Sequence, residues 1–247
     1  MDDIAAIVLA AGKGVRMQSD LPKVLQPLAG KPLIIHVLES LRQAGISDIC
    51  VVVGYKGELV VDAIHGLARH VWQREQRGTG HAVMQAEHAF AGYDGGIIVA
   101  CGDVPLIRPE TFMALAEAGR EESVKAVVLT MVPDDPTGYG RVVTDGEGNF
   151  VRIVEEKDAT DEERGIGIVN AGTYYFDAPL LFKGLRHITS ENAQGEYYLP
   201  DVLSYLVRSG FAVRTFLLDD PVEGSGVNTR EELLMLEKRC ARAAARG

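Results

Sequence analysis

The 247-residue chain has three cysteines, one tryptophan and 6% aromatic residues, and its 25 lysines and arginines are outnumbered by 35 aspartates and glutamates. Each shortage excludes something. Cys50, Cys101 and Cys240 lie far apart, form no CxxC and leave one thiol over, so we expect three reduced cysteines and no disulfide framework. A formal net charge of -10 argues against a nucleic-acid partner, whose phosphates need clustered Lys and Arg. No apolar run approaches the ~20 residues that span a bilayer. The start, "MDDIAAIVLAAGKG", shows no basic leader before a cleavable apolar segment, so we expect a cytoplasmic protein without membrane contact. Internal repeats and low-complexity linkers are also missing. A hydrophobic share of 47% and a charged share of 24% are ordinary for a folded domain, and the length suits one large α/β domain or two small ones.

Apolar runs and amphipathic stretches alternate along the first half, as expected of βα units around a parallel sheet. Strands are predicted at 5–10, 48–54, 70–73 and 96–103, with helices at 31–45 (Pro32 in its first turn), 57–67 and 80–90 and a further one opening at Pro109. The rhythm then changes. A strand at 125–132 precedes a hairpin over 140–156 with an Asp- and Gly-rich turn at 145–148, followed by a strand at 169–177, a helix at 197–210 interrupted near Pro200, and a strand at 211–218. From Thr229 the chain reads as amphipathic helix to its end. The economical fold class is α/β: one Rossmann-like, doubly wound, mostly parallel sheet with helices on both faces and a β-rich insertion from about 133 to 195.

The first strand runs into "LAAGKGVRMQSDLPKVL" (9–25). Between residues 10 and 31 stand Lys13, Arg16, Lys23 and Lys31 against the single Asp20, a local excess of +3 in an acidic chain. Two familiar phosphate loops fail on spacing. For GxGxxG counted from Gly12 and Gly14, the third glycine falls on Met17; for a P-loop at Gly30–Lys31 the first glycine falls on Leu25, and Pro32 stands where Ser or Thr belongs. What remains is either a polyphosphate site, with Arg16 able to grip by two hydrogen bonds and Lys23 as a point charge, or a solvated turn with incidental cations.

That stretch resembles the signature of the sugar-phosphate nucleotidyltransferases. The resemblance narrows to the uridyltransferase domain of the bifunctional bacterial N-acetylglucosamine-1-phosphate uridyltransferases/glucosamine-1-phosphate acetyltransferases. It is carried by "REQRGTGHA" (74–82), "GDVPLI" (102–107), "DDPTGYGRV" (134–142), "IVEEKDAT" (153–160), "NAQGEYYLPD" (192–201) and "EGSGVNTR" (223–230), in the family's order over nearly the whole chain. It implies the nucleotide-diphospho-sugar transferase fold, the substrates UTP and a sugar 1-phosphate, and Mg2+ as cofactor.

Asp103 follows a strand in an open α/β pattern and so is expected at the sheet's carboxyl edge, where a hard oxygen beside phosphates suits Mg2+; a lone Asp there is otherwise often a helix cap. The resemblance decides for the metal, with Asn228 as second ligand, and makes Arg16, Lys23 and Asp103 the catalytic group. It likewise implies nucleotide binding by Leu9, Ala10, Ala11, Gly12, Lys23, Gln73, Gly78 and Thr79, and sugar binding by Cys101, Gly102, Gly140, Glu155 and Asn170. Gln73 has the amide to read a pyrimidine edge; Glu155 and Asn170 suit hydroxyls and an N-acetyl group. The ordinary readings of these residues are turn glycines, a solvated Glu and a strand-start Asn. Two departures from the family pattern, Cys101 for Tyr and Ala171 for Thr, fall near the expected sugar pocket and bear on acceptor preference. The chemistry so implied has two rivals: transfer to another sugar 1-phosphate or from another NTP, and a catalytically silent nucleotide-sugar sensor.

His81 and His88, seven apart on one expected helix, would share a face but stand too far apart for one ion, and are taken as ordinary helix histidines; Trp72, Tyr197 and Tyr198 are taken as packing residues. We expect a nucleotidyltransferase domain over 1–228 and a helix over 229–247. No hexapeptide repeat is present, so no β-helix acetyltransferase domain and no acetyl transfer are expected. The Leu233, Leu234, Met235 and Leu236 side of the tail helix is expected either to pack on the domain or to pair with a second copy as a homo-oligomer.

Overall fold

The fold is that of a computed structural model, described over residues 3–17 and 19–244. Chain order gives β1 (Ile4–Ala10), a two-residue-per-strand hairpin of β2 (Pro27–Leu28) and β3 (Lys31–Pro32), α1 (Leu33–Gln43), β4 (Ile49–Val53), α2 (Gly57–Ala63), β5 (Arg69–Trp72), α3 (Thr79–Met84), β6 (Gly96–Cys101), α4 (Pro109–Gly119) and β7 (Val124–Met131). Then follow β8 (Arg141–Thr144), β9 (Phe150–Val154), α5 (Asp161–Arg164), β10 (Val169–Asp177), α6 (Ala178–Leu185), α7 (Pro200–Arg208), β11 (Ala212–Leu217) and α8 (Arg230–Ala244).

The main sheet runs β11-β7-β10-β6-β1-β4-β5, with β8 and β9 attached to β10. Only β10 opposes its neighbours β6 and β7; the other strands along that path are parallel. The mostly parallel, doubly wound expectation therefore holds. β1 and β4 are apolar almost throughout because both faces of the sheet are covered. Alternate residues of β1 divide between two cores: Ala6, Val8 and Ala10 pack with Ile34 and Leu38 of α1 and Phe112 of α4, while Ala5 and Ile7 pack with Val83 of α3, Leu181 of α6 and Leu203 of α7.

Four boundaries differ from expectation. α2, expected over 57–67, ends at Ala63 before a turn through Gly66 at positive φ; the other three each have a local reason. Lys31 and Pro32 belong to the β2–β3 hairpin, which turns through positive φ at Ala29 and Gly30, so α1 starts after Pro32 instead of containing it. The helix expected over 80–90 stops at Met84. The Gln85 side-chain amide donates to the His81 carbonyl at 3.0 Å, the acceptor that α-helical geometry would give to the Gln85 N–H, and a separate 3-10 turn covers Glu87–Phe90. α7 begins at Pro200 because 197–199 is tied to the 77–80 loop: Tyr197 N–H donates to Arg77, Gly80 N–H to Tyr197, and Leu199 N–H to the Thr79 hydroxyl at 3.0 Å. The short helices α5 and α6 were not expected.

The hairpin of β8 and β9 has the foreseen turn, where the Asp145 carboxylate accepts from the N–H groups of Glu147 and Asn149. α8 opens on a capping box: Thr229 Oγ1 accepts from Glu232 N–H at 3.2 Å, and the Glu232 carboxylate accepts from Thr229 N–H at 3.0 Å. Leu236, with Leu233 and Cys240 beside it, seals a small core of Met17, Leu28, Leu33 and Val227, while Leu234 and Met235 face outward. Part of the expected apolar side thus packs on the domain; 245–247, included in the expected helix, lie outside the described residues. No helix among the described residues is long and apolar enough to cross a membrane.

Candidate active site

Because β1, β4, β5 and β6 are parallel, their carboxyl ends share one edge, and the segments leaving them meet there. Gly102 N–H donates to the Leu9 carbonyl at 2.9 Å, Gln73 N–H to Val53 at 2.8 Å, and Tyr55 N–H to Ala11 at 3.1 Å. Leu9, Ala10, Ala11, Gly12, Gln73, Gly78 and Thr79, the whole expected nucleotide set with Lys23, line one cleft of about 410 Å3, together with Cys101 and Asp103. Gly102 itself lies under it, against the Leu9 carbonyl and Val24. Gln73 is 3% exposed, and its Nε2 donates to the Gly78 carbonyl at 3.1 Å and lies 3.0 Å from His81 Nδ1. Burial, then the charge of Arg77, holds the His81 pKa below the ordinary histidine value, consistent with a neutral ring accepting from that amide. His88 is exposed on the separate turn, so the two histidines share no helix face. Gly78 has φ +103°, and a Cβ there would stand 2.6 Å from the Tyr197 carbonyl oxygen.

The cations gather at one end of this cleft. Lys23 forms an ion pair with Asp103, both side chains less than one-fifth exposed, and its Nζ donates to Asn228 Oδ1 at 3.0 Å. Arg16 donates to the same oxygen at 3.1 Å. Asn228 arrives from the far end of the chain because Val227 N–H donates to the Asp103 carbonyl at 2.9 Å and Glu232 caps the Asn228 N–H at 2.5 Å. The two oxygens assigned to a metal, one carboxylate and one amide, thus already converge on a single cation, the Lys23 ammonium. No cluster of three or more His, Cys, Asp or Glu suited to a metal occurs among the described residues. A sparse all-oxygen pair fits Mg2+, which keeps waters and binds substrate phosphates in its other positions.

A second cavity of about 640 Å3 opens beside the first and is lined by Gly14, Arg16, Lys23, Gly138, Glu155 and Asn228, among others. The segments flanking the β8–β9 hairpin supply its far wall; β10, included in the expected insertion, is instead a central strand of the main sheet. Of the residues expected at the sugar, Glu155 lines this cavity, and Gly140 and Asn170 stand behind it: Asn170 N–H donates to the Gly140 carbonyl at 2.9 Å, and a Cβ on Gly140 would stand 3.2 Å from Glu155 Oε1. Burial, with the negative charges of Asp158, Asp201 and Glu196, pushes the Glu155 pKa up to about 7. The Asn170 amide is partly committed, its Oδ1 accepting from Gly172 N–H at 2.9 Å and its Nδ2 donating to the Tyr174 hydroxyl at 2.7 Å across the bulge of β10; one amide hydrogen is left over.

Of the two departures from the family pattern, Cys101 faces the cleft, with its thiol 3.4 Å from the Gly172 carbonyl and its pKa pushed up to about 12 by burial. Ala171 does not face it. The side chain is buried in the core beside Gly224, Met131 and Leu218, where a larger group would press on the Asn228 loop instead of on a ligand. Sequence reasoning also passed over Glu196, which lines both cavities, and Lys13, which lines the nucleotide cleft. Lys13 was noted only as charge, and Glu196 sits inside the quoted "NAQGEYYLPD" with no role given to it.

Residues 6–192 match a model of the MobA-like NTP transferase domain. The bifunctional protein GlmU of Pelotomaculum thermopropionicum is 48% identical over 236 residues, which are 96% of this chain and 52% of that protein. GlmU of Geobacter metallireducens is 46% identical over 235 residues, 94% of this chain and 49% of that protein. The chain therefore spans about half the length of the curated relatives it matches. A solved structure from Bacillus anthracis, provisionally assigned as a glucose-1-phosphate thymidylyltransferase in complex with sucrose, superposes with a TM-score of 0.77 at 22% identity, covering 96% of this chain and 94% of that one; the likeness is one of fold.

Proposed function

Since the chain belongs to the MobA-like NTP transferase family, we propose that it transfers a uridylyl group from UTP to N-acetylglucosamine 1-phosphate, giving UDP-N-acetylglucosamine and pyrophosphate. The observation that carries this reading is the meeting of Lys23, Asp103, Asn228 and Arg16 where a nucleotide-sized cleft joins a second cavity walled by the insertion. Close similarity to the bifunctional GlmU proteins supports the choice of nucleotide and sugar.

The reaction asks little of side chains as acids or bases. A sugar 1-phosphate, with a second pKa near ~6, is largely ionised at neutral pH, so its own oxygen attacks the α-phosphorus while the bond to the pyrophosphate oxygen breaks. The work of the chain is to align and to neutralise. Leu9 to Gly12, Gln73, Gly78 and Thr79 hold the uridine; Lys23 and Arg16 oppose the growing negative charge; Gly140, Glu155 and Asn170 orient the sugar. Mg2+, held by Asp103 and Asn228, supplies Lewis-acid neutralisation of the phosphate oxygens when bound.

Pyrophosphate release from UTP and Mg2+ tests the reading, with N-acetylglucosamine 1-phosphate, glucosamine 1-phosphate and glucose 1-phosphate compared as acceptors. Release led by the N-acetylated acceptor is the expected result. Release led by another acceptor would overturn the sugar assignment, and UTP binding with no release from any of the three would overturn the transferase reading.

A further inference from the structure

The insertion hairpin holds a charged side chain that the reaction does not use. Arg141, the first residue of β8, is 2% exposed and is among the largest fully buried side chains of the protein. Burying a guanidinium is costly, and an apolar residue of similar volume fills a small core at least as well, so stability alone does not explain its presence.

Its donors are spent on segments around the acceptor side of the cleft. One terminal nitrogen pairs with the Glu156 carboxylate at 2.8 Å, the other donates to the Tyr139 carbonyl, and Nε donates to the Arg164 carbonyl at 3.3 Å. Glu156 also accepts from Gly138 N–H at 3.2 Å. Arg141 stands opposite Val154 in the antiparallel register, which sets Gly140 against Glu155. Two of the residues assigned to the sugar are thus the immediate neighbours of the two members of the ion pair. Gly140 has no room for a side chain, since a Cβ would meet Ile153 at 2.8 Å and the Glu155 carboxylate at 3.2 Å. The same segment reaches the metal side: the Tyr139 hydroxyl faces Ser225 and the backbone of Gly226, two residues before Asn228.

We propose that Arg141, clamped to Glu156 and to the Tyr139 carbonyl, is a positioning residue for the acceptor: it sets the spacing of Gly140 and Glu155 and their placement against the Asn228 loop without touching substrate. Directional hydrogen bonds from a planar guanidinium fix segments that apolar packing would let slide. The inference rests on the reading of this cavity as the sugar 1-phosphate site.

The test uses Arg141→Met and Arg141→Lys in the full chain, with UTP and the acceptor varied in turn, alongside thermal melting and amide exchange of the substrate-free protein. The acceptor KM should rise about tenfold or more, with the UTP KM within about twofold of wild type and partial rescue by lysine. An acceptor KM within about twofold of wild type, or KM values for both substrates rising together in step with a lower melting temperature, would overturn the proposal. Should both variants fail to fold, Glu156→Gln decides: a selective rise in the acceptor KM supports it, and none sinks it. If the wild type itself turns over no acceptor, the transferase reading has failed on its own. Exchange then still reads the clamp, with faster exchange in Arg141→Met confined to 138–142 and 154–156 expected, and unchanged exchange there overturning it.

Discussion

Glu155→Gln separates what the acceptor pocket gains from a carboxylate and what the fold loses by holding it. The Glu155 pKa is pushed from an ordinary 4.5 to about 7, first by burial and then by Asp158, Asp201 and Glu196. Between those values the folded protein holds a proton that the unfolded chain has given up. This proton adds stability that is present at low pH and is lost as pH rises through about 7. A rise of this size corresponds to roughly 3 kcal/mol at ~1.4 kcal/mol per unit, and hydration through the open cleft reduces it to about 2. Glutamine has the shape of the protonated acid and never ionises. The variant should match wild type near pH 5 and melt higher by roughly 4–8 °C at pH 8.

Catalysis should move the other way. The ionised carboxylate accepts stronger, charge-assisted hydrogen bonds from sugar hydroxyls than the neutral acid does, so the wild-type acceptor KM should fall as pH rises from 6 to 8. The acceptor's own phosphate titrates in the same range, but it does so for both proteins, and the ratio of the two KM values isolates Glu155. Melting curves and steady-state kinetics at half-unit pH steps make the measurement. A melting difference independent of pH, or a glutamine variant less stable than wild type at pH 8, would refute the assignment of a buried, charge-crowded carboxylate.

Asp103→Ala should abolish turnover, by about a thousandfold or more, in a protein that still melts cooperatively; near-normal turnover at saturating Mg2+ would remove Asp103 from the metal site. Lys23→Ala should weaken UTP binding by ~10- to 100-fold in calorimetry, the loss of one charge-assisted hydrogen bond, and unchanged binding would return the residue to a structural ion pair with Asp103. Gly78→Ala forces a side chain to within 2.6 Å of the Tyr197 carbonyl at a positive φ and should cost about 1–3 kcal/mol as well as UTP affinity. Gly146→Ala, which meets nothing within 4 Å, is the control, and equal effects of the two would show that the 77–80 loop has slack.

The sheet was legible because its strands are apolar runs of the right length, and β1, β4 and β6 stand where the runs stand. Helix ends were less so, because competition from side chains set them: Gln85 takes the carbonyl that would have extended α3, and Thr79 takes the N–H ahead of α7. The nucleotide cleft was legible by resemblance and gathers every residue assigned to it. Two things were not. Asn228 lies 205 residues from Lys23, and nothing in the order of residues says that they share a hydrogen bond. Nor does sequence distinguish Cys101, which faces the cleft, from Ala171, which a bulge at a positive-φ glycine turns into the core. Arg141 was one letter of the quoted "DDPTGYGRV"; its burial, the feature that sets it apart, exists only once β8, β9 and the Arg164 turn have closed around it.

The charges of the cleft sort by the chemistry each part must meet. The end that faces phosphates carries Lys13, Arg16 and Lys23, and the end assigned to the uncharged part of the sugar carries Glu155 and Glu156 beside Lys157, with Glu196 shared by both cavities. Without substrates such an arrangement would leave like charges facing one another, and the fold limits that cost by pairing within each end. Lys23 is held by Asp103 and Asn228, and Glu156 by Arg141. The first pairing must loosen for UTP and a metal to enter, since the ammonium and the cation claim the same two oxygens. The second has no such rival, because Arg141 is sealed from the cleft. One ion pair is therefore placed to yield when substrate binds and the other to stay, which is why a perturbation of Lys23 should read out on UTP and one of Arg141 on the acceptor.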